Sequence, residues 1–255
     1  MEWIIKSGLT FGTFPPLAVL APELDVFITT RGGGTSKAPF DSLNLGGRPG
    51  DSARRMAENR RRVAAALGLS ARRLARTGQI HGAEIAVVRR GGVYRGFDGF
   101  ITDRRGLTLA ISTADCYSVV IYSPPERALA ALHVGRRGAE RGIIARAVGM
   151  LRARYHIDPA YAVAVVGPGV CADCYAVRRD DALRFPRRVR RYEHGAWHLD
   201  LAAFCVEELW RLGLRRRFII PSGLCTSCNP DLFFSHRRDC GVTGRHWTLA
   251  TIKAI

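Results

Sequence analysis

The chain has 255 residues, 47% of them hydrophobic, so it is long enough to bury a full core; no linker, repeat or low-complexity stretch divides it, and a single domain over 1–255 is expected. Its 39 basic residues against 22 acidic ones give a formal charge of +17, nearly all of it arginine, a field that attracts small anions such as phosphate. No RNA-binding aromatic signature, zinc-finger spacing or basic zipper accompanies the arginine clusters at 60–62, 187–191 and 215–217, so a nucleic-acid partner is not expected and the clusters read as solvated surface.

In chain order, the opening stretch MEWIIKSGLTFGTF lacks the pattern of a signal peptide, and no later run approaches a membrane span, which makes a cytoplasmic location without membrane contact the expectation. Leu24 to Thr29 reads as a strand. The next 20 residues or so, TRGGGTSKAPFDSLNLGGRPG, carry no periodicity, and a loop of that length usually has a function. It fits neither a Walker A loop nor a dinucleotide fingerprint. Arg31 and Asn44 flank its glycines, where a guanidinium and backbone N–H groups can approach an anion.

Asp51 reads as the N-cap of a helix that turns Met56, Val63, Ala64 and Leu67 to one face. Gln79 follows, the only glutamine of a chain whose asparagines are Asn44, Asn59 and Asn229. Depletion of thermolabile amides suggests a thermophile, against which the scarcity of lysine argues, and it makes a glutamine two residues before His81 conspicuous.

Strands are expected near 84–88, 107–112, 117–122 and 128–133. The last two are apolar throughout, as in strands covered on both faces. Centring their turn on Pro124 and Pro125 pairs Cys116 with His133, and opposed residues have Cβ atoms roughly 4.5 to 5.5 Å apart. A helix from Ala139 to Tyr155, a strand from Tyr161 to Val166, a helix capped by Asp200 and ended at Gly213, and strands at 218–220 and 246–252 complete the series. Strands and helices mixed without a strict βαβ rhythm predict an α+β fold, a mixed sheet core flanked by helices.

Seven cysteines punctuate the chain. Cys205 belongs to an apolar helical face. Cys171/Cys174 and Cys225/Cys228 have CxxC spacing, for which a four-thiolate zinc site, disulfides and plain buried thiols are all open readings. Any of these serves stability; disulfides between distant segments would add about 2 to 4 kcal/mol.

His81, Cys116 and His133 have the right chemistry for one site. Two imidazoles and a thiolate form a three-ligand zinc centre with an open fourth position, the catalytic arrangement. On these residues alone, a buried thiol and two hydrogen-bonded histidines is an equally open reading.

The motifs TTRGGGTSKAPFDSLNLG, QIHG, STADCYSVVIY, LHVGRRG, VGPG with CYAV, LDL, and CTSCNPDLFFSHRRDCGVTGR, in that order, resemble those of the YfiH-like laccase-domain family. That family was formerly called multicopper polyphenol oxidase and is now understood as zinc-dependent purine nucleoside phosphorylases. The resemblance implies His81, Cys116 and His133 as ligands of zinc, with copper as the other occupant to consider. It implies phosphorolysis of adenosine, inosine, guanosine and methylthioadenosine, hence purine nucleoside and inorganic phosphate as partners, with adenosine deamination as a second activity. Arg31, Asn44, Gln79, Asp115, Arg137, Arg237 and Arg238 match polar positions of the motifs. The arginines and Asn44 are expected to bind substrate or phosphate, and Gln79, Asp115 and Cys116 to act in catalysis. Asp115 is either a proton carrier or the carboxylate that orients a histidine.

Three positions depart from the family pattern: Arg136 replaces an aromatic residue, Gly169 a frequent cysteine, and His236 a tyrosine. Two readings of other classes stay open. One is a metal-independent cysteine hydrolase using Cys116 with a histidine base, and the other an arginine-rich RNA-binding protein. Multi-copper phenol oxidation is poorly supported, for want of the histidine-rich ligand sets it requires.

Overall fold

The computed structural model describes residues 1–46 and 50–254, so residues 47–49 of the long loop expected after Thr30 lie outside the description. The elements, in order, are β1 (Glu2–Lys6), β2 (Leu9–Thr13), α1 (Leu17–Leu20), β3 (Leu24–Thr29), α2 (Ala53–Ala66), β4 (Leu74–Gly78), β5 (Ile85–Val87), β6 (Gly92–Arg95), β7 (Gly99–Thr102) and β8 (Thr108–Thr113). After them come β9 (Tyr117–Ser123), β10 (Ala128–Val134), α3 (Arg136–Glu140), α4 (Ile143–Tyr155), β11 (Val163–Val166), β12 (Ala176–Val177), α5 (Arg179–Leu183), β13 (Arg190–Glu193), β14 (Ala196–Leu199), α6 (Leu201–Arg211), β15 (Ile219–Pro221) and β16 (His246–Ile252).

Two mixed sheets form the centre of this α+β fold. One has the strand order β1-β2-β3-β16-β8-β4-β6 and the other β15-β11-β9-β10-β7-β5; β12, β14 and β13 make a small third sheet. The period-2 alternation of side chains explains the layering. Along β9, Val120 and Tyr122 pack in a core shared with Val26, Ile28, Leu109 and Ile111 of the first sheet. Val119 and Ile121 face the opposite way, onto Ile143, Ala147 and Leu151 of α4 and Leu209 of α6. The outer face of the first sheet, including Phe11, Ala110 and Leu249, is covered by Val63 of α2 and by Leu43 and Leu45. Both faces of β9 and β10 are therefore buried, which is why their sequences run apolar without a break.

Several boundaries differ from those expected. Ser52, not Asp51, caps α2, its hydroxyl accepting the Arg55 N–H. Asp51 instead accepts from the Ser36 hydroxyl and the Asn44 amide. The helix expected from Ala139 to Tyr155 is two helices, because Gly142 takes a left-handed conformation (φ 73°) between α3 and α4. The β9–β10 register is shifted by two residues. Ser123 pairs with Ala128 around a four-residue turn, and Ser118, not Cys116, lies opposite His133. A Pro-Pro pair does not fit a two-residue hairpin turn, so the loop is longer. A two-residue slip keeps each side chain on its face, and Cys116 still meets His133 on the diagonal.

Candidate active site

The site lies where the chain repeatedly crosses from one sheet to the other. Residues 79–84 leave β4 in the first sheet for β5 in the second, and residues 114–116 link β8 to β9 in the same way. These sharp crossings hold His81 at φ 60° and Asp115 at φ 88°, both left-handed conformations uncommon for residues with a Cβ. His133, the last residue but one of β10, points, like Ser118 opposite it, into the space between the sheets, where the Ser118 hydroxyl bonds Thr248 at 2.6 Å.

His81, Cys116 and His133 converge there, each offering a donor atom, all three atoms within 4.8 Å of one another. The two imidazole rings meet edge to face, with centroids 4.9 Å apart. Gly135, the residue after the end of β10, leaves room for the thiol, since a Cβ there would stand 2.9 Å from Cys116 Sγ. At Gly138 a Cβ would stand 2.8 Å from the carbonyl oxygen of Gly82, in the loop that carries His81. The two glycines of His-Val-Gly-Arg-Arg-Gly are thus required by close approach to the ligand cluster.

Asp98, which sequence reasoning missed, organises the cluster. Its carboxylate is fully buried and accepts the His133 Nδ1–H at 2.8 Å. It also accepts the backbone N–H groups of Ile80, His81 and Gly82 at 3.1, 2.9 and 2.8 Å. One carboxylate therefore fixes the tautomer of one histidine and the loop of the other, leaving His133 Nε2 for an ion. Its only signal in the sequence was an acid standing between Phe97 and Gly99 at the start of an otherwise apolar strand. Burial alone would raise its pKa, but hydrogen bonds from His133 and the backbone hold it below the ordinary carboxylate range.

Electrostatics make Cys116 and His133 a thiolate–imidazolium pair, in which the sulfur is in its ligating form and an ion at His133 Nε2 takes the place of a proton. Burial acts to raise the Cys116 thiol, and the facing imidazoles, His133 foremost, outweigh it and bring it to about 6. Burial acts to lower His133, and the Cys116 thiolate and Asp98 outweigh that and raise it to about 9. A thiolate beside nitrogen donors, with no fourth protein ligand in the group, fits zinc with one open position, and the same donor set accepts copper.

The cluster opens into a cavity of about 710 Å³, within the range of small-molecule sites. Gln79, Asp115, Arg137 and Arg237 line it beside His81, Cys116 and His133, as do Thr113, Tyr175, Arg136, His236 and Arg245. Gln79 bonds both its amide ends to the backbone of Ser112, extending the β4–β8 ladder by a side chain. Asp115 accepts from the Thr226 hydroxyl at 2.7 Å and from the backbone N–H of Arg237 at 2.5 Å; it touches neither histidine, so the orienting carboxylate is Asp98. Arg137 makes no ion pair or hydrogen bond through its guanidinium among the described residues. The buried Thr113 hydroxyl likewise has no partner among them and is left for a ligand.

Arg31, Asn44 and Arg238 lie outside the cavity lining. Arg31 binds Asp41 and the carbonyl of Pro230 and stacks on Phe234. Asn44 bonds Asp51 and the N–H groups of Gly46 and Arg245. Arg238 is occupied by Asp239 and by the carbonyls of Thr226, Ser227 and Phe233. Each makes contacts that hold a loop in place.

Residues 25–253 match the family described as multi-copper polyphenol oxidoreductase laccase. Among curated proteins, the chain is 36% identical over 236 residues to purine nucleoside phosphorylase YlmD of Geobacillus stearothermophilus, covering 86% of each. It is 38% identical over 248 residues to a purine nucleoside phosphorylase of Deinococcus radiodurans, covering 93% of this chain and 94% of that one. Among solved structures, YlmD of Geobacillus stearothermophilus superposes with a TM-score of 0.89 at 32% identity, covering 100% of this chain and 97% of that one. Bacillus licheniformis hypothetical protein YfiH superposes with a TM-score of 0.87 at 32% identity, covering 91% and 94% respectively.

Proposed function

We propose that this chain, a member of the multi-copper polyphenol oxidoreductase laccase family, is a zinc-dependent purine nucleoside phosphorylase that also deaminates adenosine. The observation that carries the reading is the His81–Cys116–His133 set opening into a cavity where the Arg137 guanidinium has no partner among the described residues. Curated relatives over most of the chain bear the phosphorylase name.

His81, Cys116 and His133 would hold the ion, with Asp98 fixing His133. Zinc held by these donors supplies Lewis acidity at the open position, polarising an oxygen brought to it. Arg137 and Arg237 bind inorganic phosphate through charge-assisted, forked hydrogen bonds, and Arg237 is steadied by stacking on Tyr175 and by bonding the carbonyl of Ala176. The phosphate oxygen forms the new bond to ribose C1′, the C1′–N9 bond breaks, and its electron pair leaves with the purine. Asp115, fixed by Thr226 and the Arg237 N–H, carries the proton that the leaving base takes up. The Thr113 hydroxyl binds the nucleoside. Arg31, Asn44 and Arg238 support substrate binding through the loops they fix. Adenosine deamination takes place in the same cavity: a water oxygen forms the new bond to purine C6, the C6–N6 bond breaks, and the amino group takes up a proton from the water and leaves as ammonia. Adenosine, inosine, guanosine and methylthioadenosine all present a purine to that cavity.

The experiment is incubation of the pure protein with inosine and with adenosine, with and without phosphate, and chromatography of the products. Free base with ribose 1-phosphate, formed only when phosphate is present, is the expected result. Equal base release without phosphate would replace phosphorolysis by hydrolysis.

Asp98, His133 and Cys116 also form an orienter, base and thiolate series, the arrangement of a metal-independent cysteine hydrolase. A chelator separates the readings. The phosphorylase loses activity with its metal and regains it with added zinc, whereas a cysteine hydrolase is unaffected.

A further inference from the structure

Four of the cysteines outside the active site come together. Cys171 and Cys174 sit on the turn after β11, and Cys225 and Cys228 on the turn after β15. The two turns run side by side, joined by a parallel bridge between Gly169 and Cys225 and by the Thr226 N–H on the Gly169 carbonyl. The four sulfurs lie within 4.8 Å of one another, and all four are free thiols. Two of the approaches between turns are 3.5 Å from Cys174 to Cys228 and 4.0 Å from Cys171 to Cys228. Sulfurs of a disulfide are about 2.05 Å apart. Four thiolates on one tetrahedral zinc, each at about 2.3 Å, stand about 3.8 Å apart, and the observed spacings bracket that edge.

The hydrogen bonding is that of a thiolate cage. The backbone N–H groups of Cys171 and Cys228 both donate to Cys225 Sγ, at 3.3 and 3.4 Å, and such donors favour a sulfur that bears negative charge. Four thiolates against one dication leave a net charge of two minus. Arg238 lies beside it, its guanidinium donating to the carbonyls of Thr226 and Ser227 within the second turn.

We propose that Cys171, Cys174, Cys225 and Cys228 bind a second, structural zinc ion in a closed four-sulfur site. No position is left for water, so the ion does no chemistry. Its effect is to staple one wall of the cavity. Thr226, next to Cys225, holds Asp115, and Tyr175, next to Cys174, lines the cavity and carries Arg237 on its ring.

The test starts from Cys116→Ser protein, in which the active-site set is broken. After zinc reconstitution, metal analysis is expected to find one tightly held zinc per chain, and X-ray absorption to find four sulfur neighbours at about 2.3 Å. In the complementary Cys174→Ser/Cys228→Ser protein, that four-sulfur signal is lost, one zinc with mixed nitrogen and sulfur neighbours remains, and the melting temperature falls. Should the double variant fail to fold, the Cys116→Ser measurement decides alone. The proposal is overturned if Cys116→Ser protein holds no zinc, holds iron instead, or shows nitrogen or oxygen neighbours. A disulfide among the four, detected by alkylation and mass spectrometry without reductant, overturns it equally. These outcomes are independent of whether the active-site cluster binds metal, because that cluster is disabled in the decisive sample.

Discussion

Asp98 does more for the site than any residue the sequence singled out. A buried carboxylate that accepts one imidazole N–H and three backbone N–H groups cannot be exchanged for a neutral amide without leaving donors unpaired. Asp98→Asn is expected to weaken zinc binding by about ten- to a hundredfold, measured by competition with a chromophoric chelator, in protein whose circular dichroism is native. Gly135→Ala tests the close approach to the thiol. Its Cβ would lie 2.9 Å from Cys116 Sγ, so the sulfur must move, and zinc affinity should fall while Gly149→Ala, whose Cβ meets nothing within 4 Å, leaves it unchanged. His81, Cys116 and His133 were singled out by the motif resemblance, since their residue types alone left a buried thiol and two hydrogen-bonded histidines open, and the fold brings their donor atoms within 4.8 Å of one another. Asp98 was not, since one aspartate among the acids of a chain becomes informative only when its burial and partners are known. Arg31 and Arg238 mark the converse limit, for a sequence shows that a guanidinium exists and not that carbonyls and carboxylates already occupy it.

At the scale of elements, hydrophobic pattern located β3 and β16 with the boundaries observed, and β8, β9 and β10 to within a residue or so. It missed β4, whose Leu-Ala-Arg-Thr-Gly has no alternation to read, and β6 and β7, four residues each and begun by glycine. Partnership was less legible than existence, because pairing is decided by what covers each face. β16 carries a pH-sensitive device in His246, buried with its ring against Phe233 and with neither ring nitrogen bonded among the described residues. Burial, with the nearby Arg245 charge, lowers its pKa from 6.5 to about 3. The unfolded chain therefore takes up this proton first, so the full contribution to stability is present above pH 6.5 and is lost as pH falls toward 3. Urea unfolding should show a loss of about 2 kcal/mol between pH 7 and pH 5 from this group alone, absent in His246→Leu.

For the whole molecule, the charge of +17 raises the question of a nucleic-acid partner. The arginines of two clusters make contacts within the chain. Arg60 bonds the carbonyls of Leu45 and Gly46, Arg61 and Arg62 pair with Glu58, and Arg215, Arg216 and Arg217 stack on Tyr161, Trp210 and Phe218. Any RNA retained at about 50 mM salt should be released by about 200 mM, in a filter-binding assay, with no sequence preference. No helix among the described residues is long and apolar enough to cross a membrane.

β16 lies between β3 and β8, pairing Thr248 with Ile28 on one side and with Ile111 on the other. It follows every other described strand in the chain. During synthesis the wider sheet must therefore exist as two unjoined pieces, each with an open edge of the kind that recruits other chains. His81, Cys116 and His133 have all emerged well before the strand that closes those edges. A nascent or truncated polypeptide can gather its donors while its sandwich stands open, so a loaded metal centre does not certify a finished protein.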